Sequence, residues 1–99
     1  MKKKILIVSS SFYKNFEKNL LKGALKEIDK KLFDVKHYSV SGAYEIPQLL
    51  NIVLKNKKYA FCIALGCIIK GQTPHFDIIS QSISDKLLEI SIKYNVPVS

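Results

Sequence analysis

The sequence contains no arginine, and only two cysteines and two histidines occur among its 99 residues. All sixteen basic residues are therefore lysines, and lysine lacks the planar fork with which arginine reads guanine or clamps a phosphate. No stretch approaches the roughly 18 consecutive apolar residues of a membrane span. The run Ile5-Leu6-Ile7-Val8 is too short for a secretory signal. We therefore expect one cytoplasmic domain, formed by residues 1–99, with no membrane partner.

The two cysteines, Cys62 and Cys67, lie five residues apart within one apolar run. If that run is a strand, the odd spacing sends the two side chains to opposite faces, so they cannot bridge each other. The C-x-x-C spacing of a zinc or redox site is absent. We predict that both cysteines pack as small hydrophobic residues, and we predict no metal site.

The net charge of +8 is concentrated in residues 1–40, which hold ten lysines against four acidic residues. Five of these lysines recur every four positions, which on a helix forms one basic stripe: Lys14, Lys18, Lys22, Lys26 and Lys30. Such a stripe is either a solvated helix face or a surface that grips nucleic-acid phosphates. The lack of arginine favours the solvated face, so we predict no nucleic-acid partner.

The hydrophobic pattern predicts strands and helices in alternation. Strands are predicted at Lys3 to Ser9, Val35 to Val40 and Tyr59 to Ile69; helices are predicted at about 14 to 31, from Pro47 to Leu54 and from Pro74 to Lys93. Asn95 is expected to close the last helix. Val96 to Ser99 resembles the opening of a fourth strand. The alternation predicts a three-layer α/β/α protein with a parallel sheet, right-handed crossovers and helices on both faces.

Ligands of such sheets bind beyond the C-terminal ends of the strands. Three predicted loops share that edge: residues 9–13, 41–47 and 70–75. The third loop leads into a helix, so its backbone N–H groups and the Thr73 hydroxyl are suited to hold a phosphate. An ordinary strand-to-helix turn capped by Thr73 explains the same residues.

Three side chains on these loops are candidate functional groups. His75 lies in the first turn of its helix, where a neutral imidazole beside a phosphate can move protons; the alternative is a surface or packing histidine. Glu45 can accept hydrogen bonds from a ligand or simply favour the start of a helix. Phe12 is either a platform for a flat ring or a lid on the core. His37, in the middle of a strand, is expected to be structural.

Two segments of these loops resemble the lumazine synthase family. G-A-Y-E-I-P at 42–47 is similar to that family's G-A-[FY]-E-[IL]-P, and A-L-G-C-I-I-K-G-Q-T-P-H-F-D at 64–77 resembles its A-L-G-x-V-I-[RK]-G-x-T-x-H-[FY]-D. The segments L-L-K-G-A at 20–24 and N-V-P-V at 95–98 extend the resemblance over nearly the whole chain. It implies condensation of 5-amino-6-(D-ribitylamino)uracil with 3,4-dihydroxy-2-butanone 4-phosphate to 6,7-dimethyl-8-ribityllumazine, phosphate and water in riboflavin biosynthesis, with no metal or organic cofactor.

The resemblance also implies the roles of individual residues. Phe12 would stack on the pyrimidine, and His75 would donate and accept protons. The remaining implied substrate contacts are Ala43, Tyr44 and Glu45 for the ring and ribityl chain, Cys67, Ile68 and Ile69 for the pyrimidine side, and Gln72 and Thr73 for the butanone phosphate. The implied partners are further copies of the chain, in a pentamer or a sixty-subunit shell with active sites between subunits, and riboflavin synthase.

The sequence also departs from the family pattern. Tyr13 replaces the usual asparagine, and Ser11 replaces the usual arginine. The resemblance implies a flavodoxin-like sheet of strand order 2-1-3-4, truncated in this chain at the fourth strand. The chain is therefore expected to be C-terminally shortened, lacking the rest of the fourth strand, the later helices, and the arginine and lysine of the phosphate pocket. The alternative function is therefore a pyrimidine-binding or assembly module of the same fold that has lost turnover.

Overall fold

The computed structural model describes residues 2–66 and 76–99. Strands and helices alternate along them in the predicted order. The elements are β1 (Lys3–Ser10), α1 (Lys14–Lys26), β2 (Phe33–Val40), a single 3₁₀ turn called η1 (Ala43–Glu45), α2 (Ile46–Asn56), β3 (Phe61–Leu65) and α3 (Phe76–Tyr94).

Strand β1 is the centre of the sheet. Its four apolar residues Ile5, Leu6, Ile7 and Val8 are all 0% exposed, as expected for a strand that is covered on both faces. Parallel ladders join β1 to β2 on one side and to β3 on the other. The observed order β2-β1-β3 confirms the predicted flavodoxin-like arrangement of these three strands.

The segment after α3 adds a fourth position to the sheet. Val98 forms a parallel bridge with Cys62 in β3. The Cys62 N–H donates to the Pro97 carbonyl at 2.8 Å, and the Ser99 N–H donates to the Cys62 carbonyl at 2.9 Å. Since β1 occupies the other side of β3, this pairing gives the predicted order 2-1-3-4.

The main core lies between one face of the sheet and helices α2 and α3. Side chains alternate between the two faces of a strand, so Leu6 and Val8 of β1 point to the same side. The buried residues of this cluster are Leu6, Val8, Ile46, Leu50, Leu54, Cys62, Ile90 and Val96. Burial of these apolar side chains, which come from β1, β3, α2, α3 and the segment after α3, therefore stabilises this half of the molecule.

The opposite face of the sheet is covered by α1, and this packing is looser. None of the residues of α1 is fully buried. Phe16 and Leu20, on the predicted apolar side of the helix, remain 52% and 40% exposed. The sheet residues on this face include Ile5, Ile7 and Ser9, which are themselves 0% exposed. Apolar burial therefore contributes less to the docking of α1 than to the docking of α2.

Helix α1 is shorter than predicted. It ends at Lys26 instead of continuing to residue 31, because Asp29 forms a turn. The Asp29 carboxylate accepts the Lys31 N–H at 2.9 Å, and the Asp29 carbonyl accepts the Leu32 N–H at 3.0 Å. Asp side chains compete for backbone N–H groups in this way and favour turns over helix interiors. The basic stripe on the helix therefore has four lysines, because Lys30 lies beyond its end.

The ends of the other elements agree with the sequence more closely. Asn95 has a φ of 52°, a left-handed conformation that asparagine tolerates, and α3 ends directly before it as predicted. The predicted strand from Tyr59 to Ile69 starts later, at Phe61, and its ladder ends at Leu65. Residues 67–69 of that prediction lie outside the described residues.

A substitution in α2 tests the main core. We expect Leu50→Ala to lower the free energy of unfolding by about 2–5 kcal/mol, because Leu50 is 0% exposed and its removal leaves a cavity. Ile52→Ala on the same helix is the matched control, and it should change stability by about 0.5 kcal/mol or less because Ile52 is 55% exposed. Urea unfolding of both variants measures the difference, and equal effects would contradict the described core.

The reactivity of Cys62 is a second test. Its thiol is free and 0% exposed, and burial raises its pKa to about 11. We expect a Cys67→Ser variant to react slowly with a thiol reagent at pH 8 when folded and rapidly when denatured, because the thiolate is the reactive form. The thiol of the unfolded chain ionises near pH 8.5, so Cys62 stabilises the fold fully below that pH and progressively less as the pH rises toward 11. Equal rates in the folded and denatured states would contradict this burial.

Candidate functional site

The C-terminal ends of the three strands lie level at one edge of the sheet. Ser9 of β1 is in register with Ser39 of β2 and with Leu65 of β3. The loops after β1 and β2 then meet, because the Ser11 N–H donates to the Val40 carbonyl at 2.7 Å and the Ser11 hydroxyl donates to the same oxygen at 3.2 Å. The first two predicted site loops are therefore neighbours.

The end of β3 packs directly against the second loop. A Cβ atom added to Gly66 would lie 3.3 Å from the Ala43 Cβ and 3.3 Å from the Ile46 Cδ1. Contacts this short are tighter than ordinary van der Waals separations, so a larger residue at position 66 would displace Ala43 or Ile46 by a few tenths of an ångström. Ala43, a predicted substrate contact, is therefore held against the tip of β3.

Phe12 lies on the loop between β1 and α1 and is 71% exposed. Its ring meets Tyr13 edge to face, with the ring centroids 4.8 Å apart. Tyr13 in turn meets Phe16 edge to face at 6.2 Å. The exposure excludes the interpretation of Phe12 as a lid on the core, and it leaves the ring accessible at the edge of the sheet.

Glu45 ends η1 and is exposed. One of its carboxylate oxygens accepts the Ser41 hydroxyl at 2.6 Å, and the Glu45 N–H donates to the Gly42 carbonyl at 3.0 Å. These bonds close the loop on itself and hold the carboxylate beside the end of β2. A carboxylate placed in this way can accept hydrogen bonds from ring N–H or hydroxyl groups of a ligand.

Tyr44 points toward α3. Its hydroxyl lies 3.4 Å from the Ser82 hydroxyl, a long contact, and its ring is 61% exposed. The side chain lines a groove of about 460 Å³ between α2 and α3, together with residues such as Asn51 and Ile83. A smaller hollow of about 270 Å³ lies closer to the strand ends.

That smaller hollow borders the end of β3. Its lining includes Ala43, Gly66 and Ser80. Neither Phe12 nor Glu45 lines the groove or the hollow. The structure therefore brings Ala43 to a concave surface at the tip of β3, while the Phe12 ring and the Glu45 carboxylate lie on exposed loops at the same edge.

The remaining predicted site residues lie outside the described residues. They are Cys67, Ile68, Ile69, Gln72, Thr73 and His75, and the predicted anion-binding turn at residues 70–73 lies there too. Described residues on either side of this segment, Gly66 and Ser80, line the same hollow of about 270 Å³.

The sequence analysis missed a polar cluster between α1 and the sheet. One oxygen of the Glu17 carboxylate accepts the Ser9 hydroxyl at 2.5 Å and the Ser39 hydroxyl at 2.6 Å. The Ser9 oxygen also lies 2.7 Å from the His37 Nε2. A signal was present, because His37 and Ser39 are two residues apart on one strand and therefore share a face.

The cluster perturbs the ionisation of Glu17. Partial burial acts to raise the pKa of this carboxyl, but the hydrogen bonds from Ser39 and Ser9 oppose it. The nearby His37 and Lys14 also favour the carboxylate. The pKa of Glu17 is therefore lowered from its ordinary value, and the group is an anion at neutral pH.

Residues 2–66 and 76–99 contain neither a metal-binding cluster nor a helix that could span a membrane. No three histidine, cysteine, aspartate or glutamate side chains in this part of the chain lie close enough together to hold a metal ion. Nor does any helix there have the length and apolarity needed to cross a membrane.

The strand order and the level strand tips define a flavodoxin-like α/β protein whose loops gather at one edge of a parallel sheet. A family model described as 6,7-dimethyl-8-ribityllumazine synthase matches residues 2–99. The chain belongs to this family.

Several relatives bear the same name, 6,7-dimethyl-8-ribityllumazine synthase. The protein of Buchnera aphidicola subsp. Baizongia pistaciae is 42% identical over 104 residues, which cover 99% of this chain and 64% of the relative. The protein of Wigglesworthia glossinidia brevipalpis is 37% identical, covering 97% of this chain and 65% of the relative. The protein of Limosilactobacillus reuteri is 35% identical, covering 94% and 62%. The chain thus spans less than two thirds of the length of these relatives.

Substitutions of two glycines test the contact between β3 and η1. We expect Gly66→Ala to lower the free energy of unfolding by about 1 kcal/mol, because the new methyl group pushes the Ala43 and Ile46 side chains away from position 66. Gly23→Ala in α1 is the control, since no described atom outside its own helix lies within 4 Å of that Cβ position. It should raise stability by about 0.5–1 kcal/mol through helix propensity. Urea unfolding gives both values, and a stabilising Gly66→Ala would contradict the close approach.

Proposed function

We propose that this chain acts in riboflavin biosynthesis as a lumazine synthase, a transferase. The reaction is the condensation of 5-amino-6-(D-ribitylamino)uracil with 3,4-dihydroxy-2-butanone 4-phosphate to 6,7-dimethyl-8-ribityllumazine, phosphate and water. The observation that carries the proposal is the meeting of the strand ends at one edge, in a chain of this family. That edge carries the Phe12 ring and the Glu45 carboxylate, and Ala43 is packed against Gly66.

The pyrimidine is assigned to the loops after β1 and β2. The ring of Phe12, which is 71% exposed, offers a flat surface on which a heteroaromatic ring can stack. The Glu45 carboxylate is held near the end of β2 by Ser41 and can accept hydrogen bonds from the ring or from the ribityl chain. Ala43 and Tyr44 would contact the pyrimidine through the backbone of η1, because the Tyr44 side chain extends toward α3.

The chemical step is assigned to the segment between β3 and α3. Cys67, Ile68 and Ile69 would line the pyrimidine, and Gln72 and Thr73 would bind the butanone phosphate. His75 would take a proton from the attacking amine and return protons to the departing groups, because an imidazole titrates near neutral pH. Holding two substrates side by side supplies a further part of the acceleration, because it converts a bimolecular reaction into one within a complex.

We also propose that the protein is a cytoplasmic homo-oligomer, a pentamer or a larger shell. Large apolar side chains on its surface support self-association. On α3, for example, Leu88 is 61% exposed and Ile92 is 72% exposed. A partnership with riboflavin synthase rests on the family resemblance alone. The second candidate function is a pyrimidine-binding or assembly module without turnover.

Mixing both substrates with the purified chain and following the absorbance of the lumazine tests the proposal. We expect product to form, and we expect His75→Asn to slow turnover by about 10²- to 10⁴-fold, because it removes a general acid–base group. The dissociation constant for the pyrimidine should stay within about twofold in that variant. Ile52→Ala, an exposed change in α2, is the control and should keep the wild-type rate.

Three results would count against this assignment in different ways. Pyrimidine binding without product supports the binding module and contradicts the enzyme. An unchanged rate in His75→Asn contradicts the role of His75. Absence of both binding and product contradicts the enzyme and the pyrimidine-binding module, and it leaves the assembly module as the remaining candidate.

A further inference from the structure

The loop that carries Phe12 leads into a helix with little apolar anchoring. No residue of α1 is fully buried, and Phe16, in its first turn, is 52% exposed. A residue that positions this loop must therefore act mainly through polar contacts. Glu17, also at the start of α1, makes such contacts with the two strands beneath it.

The contacts of Glu17 depend on the sheet register. Ser9 and Ser39 are paired residues of β1 and β2, so their side chains stand next to each other on the same face. Both hydroxyls donate to one oxygen of the Glu17 carboxylate, at 2.5 and 2.6 Å. Hydrogen bonds to a charged acceptor are short and about twice as strong as neutral ones. A single carboxylate therefore ties α1 to two strands at once.

His37 completes the arrangement from the same face of β2. The Ser9 hydroxyl has one proton, which it donates to Glu17. Its contact of 2.7 Å with the His37 Nε2 is therefore a hydrogen bond in which the Nε2–H donates to the Ser9 oxygen. Ser9 is 0% exposed, so the hydroxyl at the centre of the network is shielded from competing water.

A backbone hydrogen bond connects Glu17 to the loop that holds Phe12. The Glu17 N–H donates to the Tyr13 carbonyl at 3.0 Å, and the Tyr13 ring supports the Phe12 ring edge to face at 4.8 Å. On the other side of Phe12, Ser11 is bonded to the Val40 carbonyl at the end of β2. Phe12 is therefore flanked by two points of attachment to the sheet, one through Ser11 and one through Glu17.

We propose that Glu17 is a positioning residue that holds the Phe12 ring in place for stacking on the pyrimidine. The proposal rests on the proposed function for its ligand, but the anchoring itself is a property of the free protein. Removing the carboxylate should release the loop and the first turn of α1 while the core between the sheet and helices α2 and α3 stays intact.

Hydrogen exchange of backbone amides tests the anchoring without a ligand. We expect Glu17→Ala to speed exchange by about tenfold across residues 17–20, whose amides are hydrogen-bonded in the first turns of α1, because it removes two charge-assisted hydrogen bonds. Exchange in α2 should remain as in the wild type. Glu17→Gln should restore slow exchange, because an amide oxygen can also accept both serine hydroxyls. Glu27→Ala, an exposed acidic position directly after α1, controls for the loss of charge.

A double-mutant cycle with Phe12 tests the link to the pyrimidine. We expect Glu17→Ala to raise the dissociation constant for 5-amino-6-(D-ribitylamino)uracil by about tenfold, measured by equilibrium dialysis. In a Phe12→Ala background the same change should have an effect of about twofold or less, because Glu17 acts through that ring. The affinity for 3,4-dihydroxy-2-butanone 4-phosphate should be the same in the wild type and in Glu17→Ala.

The results separate this proposal from the function on which it rests. Unchanged exchange in Glu17→Ala, or faster exchange throughout the chain, would overturn the positioning role. An effect of Glu17→Ala on pyrimidine affinity that is equally large with and without Phe12 would also overturn it. A wild-type chain that binds no pyrimidine would overturn the proposed function. In that case the exchange experiment alone decides whether Glu17 anchors the loop.

Discussion

The parallel hydrogen bonding of β1 to both of its neighbours is the constraint on which the rest of the structure depends. It sets Ser9 level with Ser39 and Leu65, so that the three strands end at the same edge. In a sheet, a slip of one residue sends every side chain of a strand to the opposite face. Such a slip in β2 would separate Ser39 from Glu17 and break the bonds that Ser11 makes with Val40. The candidate site is therefore a consequence of register.

The features that the sequence predicted correctly have local causes. The run Ile5 to Val8 contains only large aliphatic residues, and a strand with that composition is stable only where both faces are covered. Pro47 lies in the first turn of α2, where its missing N–H costs nothing. Asn95 adopts the left-handed conformation that ends α3. Each of these outcomes depends on one residue or one short run, so each was visible without knowledge of the tertiary structure.

The features that were missed depend on contacts between distant residues. Helical periodicity continued to residue 31, but the Asp29 side chain captures a backbone N–H and ends the helical segment early. The contact of the Tyr44 hydroxyl with Ser82 at 3.4 Å joins residues that lie far apart in sequence. The bonds of Glu17 require the register of two strands and the placement of a helix above them. No periodicity in a single sequence encodes the simultaneous arrangement of three elements.

The two faces of the sheet hold their helices by different physical means, and this difference bears on the site. Aliphatic burial secures α2 and α3, and such packing is strong but has little directional preference. Hydrogen bonds from the buried Ser9 and the exposed Ser39 to the Glu17 carboxylate secure the start of α1, and these bonds act only at short distances and favourable angles. A ring that must stack on a flat substrate needs a fixed orientation more than it needs additional buried area. The polar attachment of α1 beside Phe12 meets that need, because its hydrogen bonds hold the start of the helix at one position on the sheet.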